Sequence, residues 1–160
     1  MNLKENIQRI KEMIEFLNED VCIHCDEKTN LIINNLNPEL QILAKKFVDN
    51  VKNELGLDIT ITSGTRTFEE QDKLYCKGRT NDKYCINKKL PTYGNIVTYK
   101  KGGEGNHNFG KAIDVYFKKN GKIITDKLIT PEVAQIGKNL GLTWGGDWKN
   151  FKDFPHFELK

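Results

Sequence analysis

His107 and His156 each come with an aspartate at short spacing and with glycines or a proline shaping the backbone around them. His107 precedes Asp114 in Gly105-Asn106-His107-Asn108-Phe109-Gly110-Lys111-Ala112-Ile113-Asp114, and His156 follows Asp153 near the C-terminus. Two imidazoles and one carboxylate form a common three-ligand set for a catalytic zinc ion, which keeps one further coordination position open. A metal held by His107, Asp114 and His156 would acidify water towards neutral pH. Asp153, just before the second histidine, is placed to accept the water's proton and pass it to a leaving amine. Arg66, in Ser63-Gly64-Thr65-Arg66, offers two parallel donors for a substrate carboxylate or a polarised carbonyl. His24 is left aside as structural, the commoner role of a single histidine.

These residues need elements to hold them. Leu3, Ile7, Ile10, Ile14 and Leu17 recur at spacings of four and three, which predicts an amphipathic N-terminal helix that packs onto the domain or pairs with a second copy. Val21 to Asn30 reads as a polar link. Asn37 and Pro38 open a helix that runs to Leu55 and stops at Gly56, with Leu40, Ala44, Phe47, Val48 and Val51 on its apolar face. Asp58 to Thr62 alternates as a half-buried strand, and Thr67-Phe68-Glu69-Glu70 is a capping box that starts a short helix to Lys77. Ala112 to Phe117 and Lys122 to Thr125 are strands joined by an Asn120-Gly121 turn. Thr130-Pro131-Glu132 starts a helix stopped by Gly141, a strand follows at Leu142 to Trp144, and the last strand is Pro155 to Leu159. The order predicts an α+β fold, a small antiparallel β-sheet packed with helices. Asp114 and His156 both lie on strands and can share a sheet face, with His107 delivered by the loop before Asp114.

Length and composition fit one soluble domain, divided here into an N-terminal helical extension over 1–30 and a catalytic domain over 31–160. No apolar run is long enough to span a bilayer, and the N-terminus lacks the apolar core of a secretory signal. The expected protein is made in the cytoplasm and stays there, or leaves by lysis or a carrier. Residues 1 to 30 carry a net charge of −3 and the remainder +6. Lys73, Lys77, Arg79, Lys83, Lys88, Lys89, Lys100 and Lys101 face Asp82 alone over residues 73–101. That basic flank is either a solvated surface or a site for an anionic polymer such as cell wall. The patterns of sequence-specific nucleic-acid binding are missing. Cys22-Ile23-His24-Cys25 invites a metal reading but has no second close pair, so the four cysteines are read as buried or free thiols. A bridge between Cys76 and Cys85 would require a protein that works outside the cell.

Taken together, Ser63-Gly64-Thr65-Arg66, Glu70-Gln71-Asp72-Lys73-Leu74-Tyr75, Gly94-Asn95-Ile96-Val97-Thr98, His107 to Asp114, Trp144-Gly145-Gly146-Asp147-Trp148 and Asp153-Phe154-Pro155-His156-Phe157-Glu158 closely resemble the zinc L-alanyl-D-glutamate endopeptidases of phage endolysins and bacterial cell-wall hydrolases. These are relatives of the D-alanyl-D-alanine carboxypeptidases and of the hedgehog signalling domain. The resemblance runs from about Asp58 to the end. It implies one catalytic zinc ion on His107, Asp114 and His156, Asp153 as the acid/base, Arg66 as a substrate or transition-state arginine, and a peptidoglycan stem peptide as substrate. An aspartate at 153, where the dipeptidases carry glutamate, leans towards the L-alanyl-D-glutamate branch. The family has a serine two residues before its first ligand, where this chain has Gly105. Residues 81–93 look like an insertion. Trp144 and Trp148 would line a substrate groove or pack in the core; Gln71 would touch substrate or sit on a helix surface; Ser63 would bond in the site or shape the turn before Arg66. The other readings are a D-alanyl-D-alanine carboxypeptidase or dipeptidase, and a zinc-bearing wall-binding module without catalysis.

Overall fold

A computed structural model describes residues 3–10 and 21–160. Residues 3–10 form helix α1, with Leu3, Ile7 and Ile10 exposed; Ile14 and Leu17 of the predicted stripe lie outside the described residues. The chain continues through α2 (Glu27–Ile33), α3 (Pro38–Leu55), β1 (Ile59–Ser63), α4 (Phe68–Cys76), α5 (Lys83–Asn87), a 3-10 turn (Asn106–Phe109), β2 (Ala112–Lys119), β3 (Lys122–Ile124), α6 (Pro131–Asn139), β4 (Thr143–Trp144), a second 3-10 turn (Gly145–Asp147) and β5 (His156–Glu158). Among the described residues no helix is long and apolar enough to cross a membrane.

The strands form one antiparallel sheet in the order β1-β2-β5-β4, with β3 hairpinned onto β2. Asn120 and Gly121 both adopt positive φ, the conformation of a tight hairpin turn whose twist matches the strands. Helix α3 supplies the core. Its Asn37 side chain accepts from Glu39 N, Pro38 starts it without losing a hydrogen bond, and Gly56 ends it at φ 67°. Leu40, Ala44, Phe47, Val48 and Val51 are buried on one face. Phe47 meets Phe157 of β5 at 4.7 Å between ring centroids. Helix α6 closes the same core, and a Cβ on Gly137 would meet the Phe157 ring at 2.8 Å. The small residue lets α6 lie directly on β5.

The stretch read as a polar link contains α2, whose N-cap Asp26 accepts from Thr29 N. The helix spans the boundary placed at residue 30, and its Thr29 and Ile33 are buried. It also changes the environment of β1. Ile59, Thr60 and Ile61 are all buried, where alternation predicted one wet face. Thr60 Oγ1 bonds Thr29 Oγ1 at 3.0 Å, and Ile61 N donates to Thr29 Oγ1 at 3.2 Å. This short helix thus covers the open edge of the sheet and gives the Ile61 N–H an acceptor.

Asp26 also holds Lys118 of β2. Burial opposes ionisation of this carboxyl, but the Lys118 ammonium and the Thr29 donors outweigh it and bring the pKa down from 3.8 to about 2. A depressed carboxyl stabilises the fold above its unfolded pKa and loses that contribution as pH falls through the folded value. Asp26→Asn should cost about 1–2 kcal/mol at pH 7, discounted for partial exposure. The difference in urea midpoint should disappear between about pH 4 and pH 2.

The cysteines are paired: Cys22 and Cys25 depart from the reading as thiols, and Cys76 and Cys85 form the bridge left open as an alternative. Cys22–Cys25 and Cys76–Cys85 are disulfides with Cα separations of 5.4 and 5.5 Å. The second pair is brought together because α5 folds back against the end of α4. The segment after it, which shows no sequence period, is held by polar ties to α4. Asp72, 2% exposed, accepts from Tyr84 Oη at 2.6 Å and Gly102 N at 2.8 Å and pairs with Lys88. Arg79 donates to Thr98 O at 2.8 Å and lies 4.1 Å over the Tyr75 ring. Arg79 and Lys88 of the basic flank are thereby engaged in building the loop.

Candidate metal centre and active site

Strand register creates the first half of the site. Asp114 on β2 is paired with His156 on β5, and Ser63 on β1 is paired with Asp114 from the other side. The third member comes from the 3-10 turn before β2. Gly110 ends that turn at φ 64°, and a Cβ there would meet Asn37 N at 2.7 Å. A glycine is required at this position. The turn is tied to the Arg66 loop by Arg66 N to His107 O at 2.9 Å and Asn108 Nδ2 to Arg66 O at 2.9 Å.

His107, Asp114 and His156 converge, with one ligand atom from each lying within 4.8 Å of the others. Asp114 Oδ1 is 3.3 Å from His107 Nε2 and 3.4 Å from His156 Nδ1. The outer nitrogens are both occupied. His107 Nδ1 lies 2.7 Å from Gly64 O, and a carbonyl only accepts, so this nitrogen carries the proton. His156 Nε2 lies 2.9 Å from Glu158 Oε2, which in turn accepts from Asn106 Nδ2 at 2.9 Å. Neutral imidazoles held this way turn their lone pairs inward at Nε2 of His107 and Nδ1 of His156. That tautomer assignment, with a carboxylate oxygen between, is what a divalent metal site of mixed nitrogen and oxygen donors requires. The residues fit the metal.

Without metal, the cluster is a proton trap. Burial lowers the affinity of His156 for a proton, but hydrogen bonds and charge from Asp114 and Glu158 prevail and raise its pKa from 6.5 to about 9. Asp114 is driven the other way: despite burial, the two imidazoles hold its carboxyl well below the usual carboxylate range. At neutral pH a metal must therefore displace a proton from His156. Titrating metal into the metal-free protein at pH 7.5 should release about one proton per ion. The release should diminish above about pH 9, where the imidazole is already neutral. Calorimetry in buffers of different ionisation enthalpy measures it, and a binding heat independent of buffer would contradict this description.

The three residues open into a cavity of about 780 Å³ that Arg66, Gln71, Tyr116, Trp148 and Asp153 also line. Asp153 is carried on the loop between the second 3-10 turn and β5. His156 N donates to Asp153 O at 3.2 Å, and Asp153 N donates to Gly145 O at 3.1 Å. A Cβ on Gly145 would meet Asp153 O at 2.5 Å and His156 Cβ at 3.1 Å, so this glycine lets the two chain segments touch. Burial and then the Asp114 charge push the Asp153 carboxyl up, against the pull of His156, His107 and Arg66. Arg66 is fixed from three sides: to Gln71 Oε1 at 2.8 Å, to Ser63 Oγ at 3.0 Å, and beside Asp114 Oδ2 at 3.7 Å. Gln71 is 3% exposed and also donates to Lys100 O at 2.8 Å.

The structure therefore brings His107, Asp114, His156, Asp153, Arg66, Ser63, Gln71 and Trp148 to one place. Trp148 packs its ring 5.0 Å from that of His156. Trp144 is not among them. It is 6% exposed, packs on Phe154 and Phe157, and donates Nε1 to Phe154 O at 2.8 Å. Its strand position, paired with Phe157, turns it into the core. Tyr116 was missed, although the period of two along β2 puts it on the face of Asp114. Gly105 also lines the cavity, and a Cβ there would meet only Lys100 Cβ at 3.7 Å and Asn108 Oδ1 at 4.0 Å. A serine would fit where the chain has none.

Comparison with known proteins gives the same picture. Residues 98–159 match a family described as D-alanyl-D-alanine carboxypeptidase. Over 114 residues, 65% of this chain, the sequence is 50% identical to the peptidoglycan L-alanyl-D-glutamate endopeptidase CwlK of Bacillus subtilis (strain 168), and the match spans 62% of that protein's length. Among solved structures, the L-Ala D-Glu endopeptidase ChiX of Serratia marcescens shares the fold with a TM-score of 0.52, covering 89% of this chain and 92% of that one at 16% identity.

Proposed function

We propose that the chain, whose residues 98–159 match a family described as D-alanyl-D-alanine carboxypeptidase, is a zinc-dependent peptidase that hydrolyses the L-alanyl-D-glutamate bond of peptidoglycan stem peptides. The observation that carries the reading is the convergence of His107, Asp114 and His156 on a cavity that also holds Asp153 and Arg66. The choice of bond follows the 50% identity to CwlK. Zinc held by His107 Nε2, Asp114 and His156 Nδ1 supplies Lewis acidity at neutral pH.

The chain's own groups do the rest. Asp153 takes a proton from the attacking water on its carboxylate and returns it to the leaving D-glutamate nitrogen. Its raised proton affinity suits both transfers. Arg66, held by Gln71 and Ser63, presents its guanidinium to the substrate as a donor for a carboxylate or a carbonyl oxygen. Glu158 keeps the His156 ring oriented. The protein acts on the cell wall, as the relative CwlK is named for acting on peptidoglycan. The basic flank contributes attraction to anionic wall polymer through Lys77, Lys83 and Lys89. Lys83→Glu with Lys89→Glu should weaken sedimentation with isolated walls at low salt, and unchanged sedimentation would remove this part.

Purified zinc-loaded protein incubated with peptidoglycan fragments, with products identified by mass spectrometry, tests the reading. Release of peptides that begin with D-glutamate is expected. Loss of a terminal D-alanine would favour the carboxypeptidase alternative, and intact fragments a binding module.

A further inference from the structure

The two disulfides lie in different surroundings. Cys76 and Cys85 are fully buried. Cys22 keeps 9% of its surface and Cys25 is partly exposed. Their residues are only 3 apart in sequence, against 9 for the other bridge, so closing the first removes less entropy from the unfolded chain. None of the residues around it lines the cavity.

The loop that carries Cys22 and Cys25 is held independently of the S–S bond. Asp49 of α3 accepts from Ile23 N at 3.1 Å and His24 N at 2.8 Å, and its Oδ1 lies 2.9 Å from His24 Nδ1. An opened loop would keep both sulfurs facing each other. Cys22 Sγ also lies 3.6 Å from Asp49 Oδ1 and 3.7 Å from Lys45 O. As a thiol, Cys22 would find two acceptors already in place. The backbone contacts to Asp49 do not depend on the S–S bond, so the loop can open and reclose without rebuilding them.

We propose that Cys22–Cys25 is a reversible thiol–disulfide exchange site for dithiols, whether small molecules or C-x-x-C proteins. The thiolate of the dithiol attacks Sγ of Cys25, the more exposed residue of the pair; the S–S bond breaks and Cys22 leaves as a thiolate that takes up a proton. The second thiol of the dithiol, deprotonated, then attacks its own partner's sulfur in the mixed disulfide. Cys25 is released and protonated. The protein gains two electrons and two protons, and the dithiol becomes a disulfide. Cys76–Cys85 stays closed through this cycle and keeps α5 on α4.

The experiment is equilibration of the full native chain in dithiothreitol mixtures of graded reduced-to-oxidised ratio, then acid quenching, alkylation and peptide mass spectrometry. Cys22 and Cys25 should become alkylated at a ratio at least tenfold lower than Cys76 and Cys85, a difference of about 30 mV or more. They should reclose when the ratio is reversed. Bridges that open together, or Cys76–Cys85 opening first, would overturn the proposal. In a second arm, native Cys22→Ser is exposed to glutathione disulfide. A mixed disulfide on Cys25 is expected, and its absence also overturns the proposal. Neither readout involves peptide cleavage, so failure here is separate from failure of the proposed enzymatic activity.

Discussion

If the proposed mechanism holds, Asp153→Asn should bind metal with the stoichiometry of the parent and turn over stem peptide about 10²–10⁴-fold more slowly. The amide keeps the shape of the carboxyl but can neither accept the proton of the attacking water nor return it to the amine. A loss of that size corresponds to about 3–5 kcal/mol of barrier, at about 1.4 kcal/mol per tenfold. Asp153 is not one of the converging ligand atoms, so the metal content should not change. Stability separates this role from a structural one. Burial and the Asp114 charge raise the proton affinity of Asp153 in the fold, so its ionised form is held there at a cost. A carboxyl of this kind destabilises the native state once pH exceeds its unfolded pKa. Asp153→Asn should thus melt at the same temperature as the metal-free parent or slightly higher, the pattern of a group kept for chemistry. Turnover near the parental rate, or loss of metal along with activity, would remove Asp153 from the proposed mechanism.

The path from residues to this site shows which parts of a fold are written locally. Caps and turns were readable because their chemistry is short-range: the Thr67 to Glu70 box, Asn37-Pro38, and Asn120-Gly121 all appear where their residue types predict. The pairing of Asp114 with His156 was not readable in this way. It depends on the register between β2 and β5, strands separated in sequence by β3, α6 and β4, and the alternation along each strand shows only that the two residues can share a face. Helix α2 escaped because its seven residues carry no amphipathic period, and its cap, Asp26, is engaged with Lys118 on a strand 92 residues away. Trp144 shows the converse. A tryptophan next to a Gly-Gly pair reads equally as groove or core, and only the position of β4 against β5 decides. The disulfides followed from distances that no spacing rule supplies, since Cys76 and Cys85 meet where α5 folds back on α4, with Tyr84 and Lys88 tied to Asp72.

Asp114→Asn should remove the metal site while leaving its frame. The backbone pairing of β2 with β1 and β5 does not involve the side chain, so circular dichroism should be unchanged. What is lost is the single charge that draws the two imidazoles together and faces Arg66. An amide oxygen is a weak ligand for zinc beside a carboxylate, and metal affinity should fall by more than about 100-fold, the upper range for losing even an outer partner. Turnover should fall with metal occupancy. A second effect should be visible without any metal. The Asp114 carboxyl is held well below the usual range by His107 and His156, so it stabilises the metal-free fold above the ordinary carboxylate pKa. The variant should therefore unfold at lower urea than the metal-free parent at pH 7, with the gap narrowing as pH drops below about 4. A variant that loses metal without this pH-dependent loss of stability would mean that Asp114 binds metal but does not hold the two histidines in place beforehand. Both losses together would show that one carboxylate performs both tasks, so the protein folds its ligands around a charge before the metal arrives.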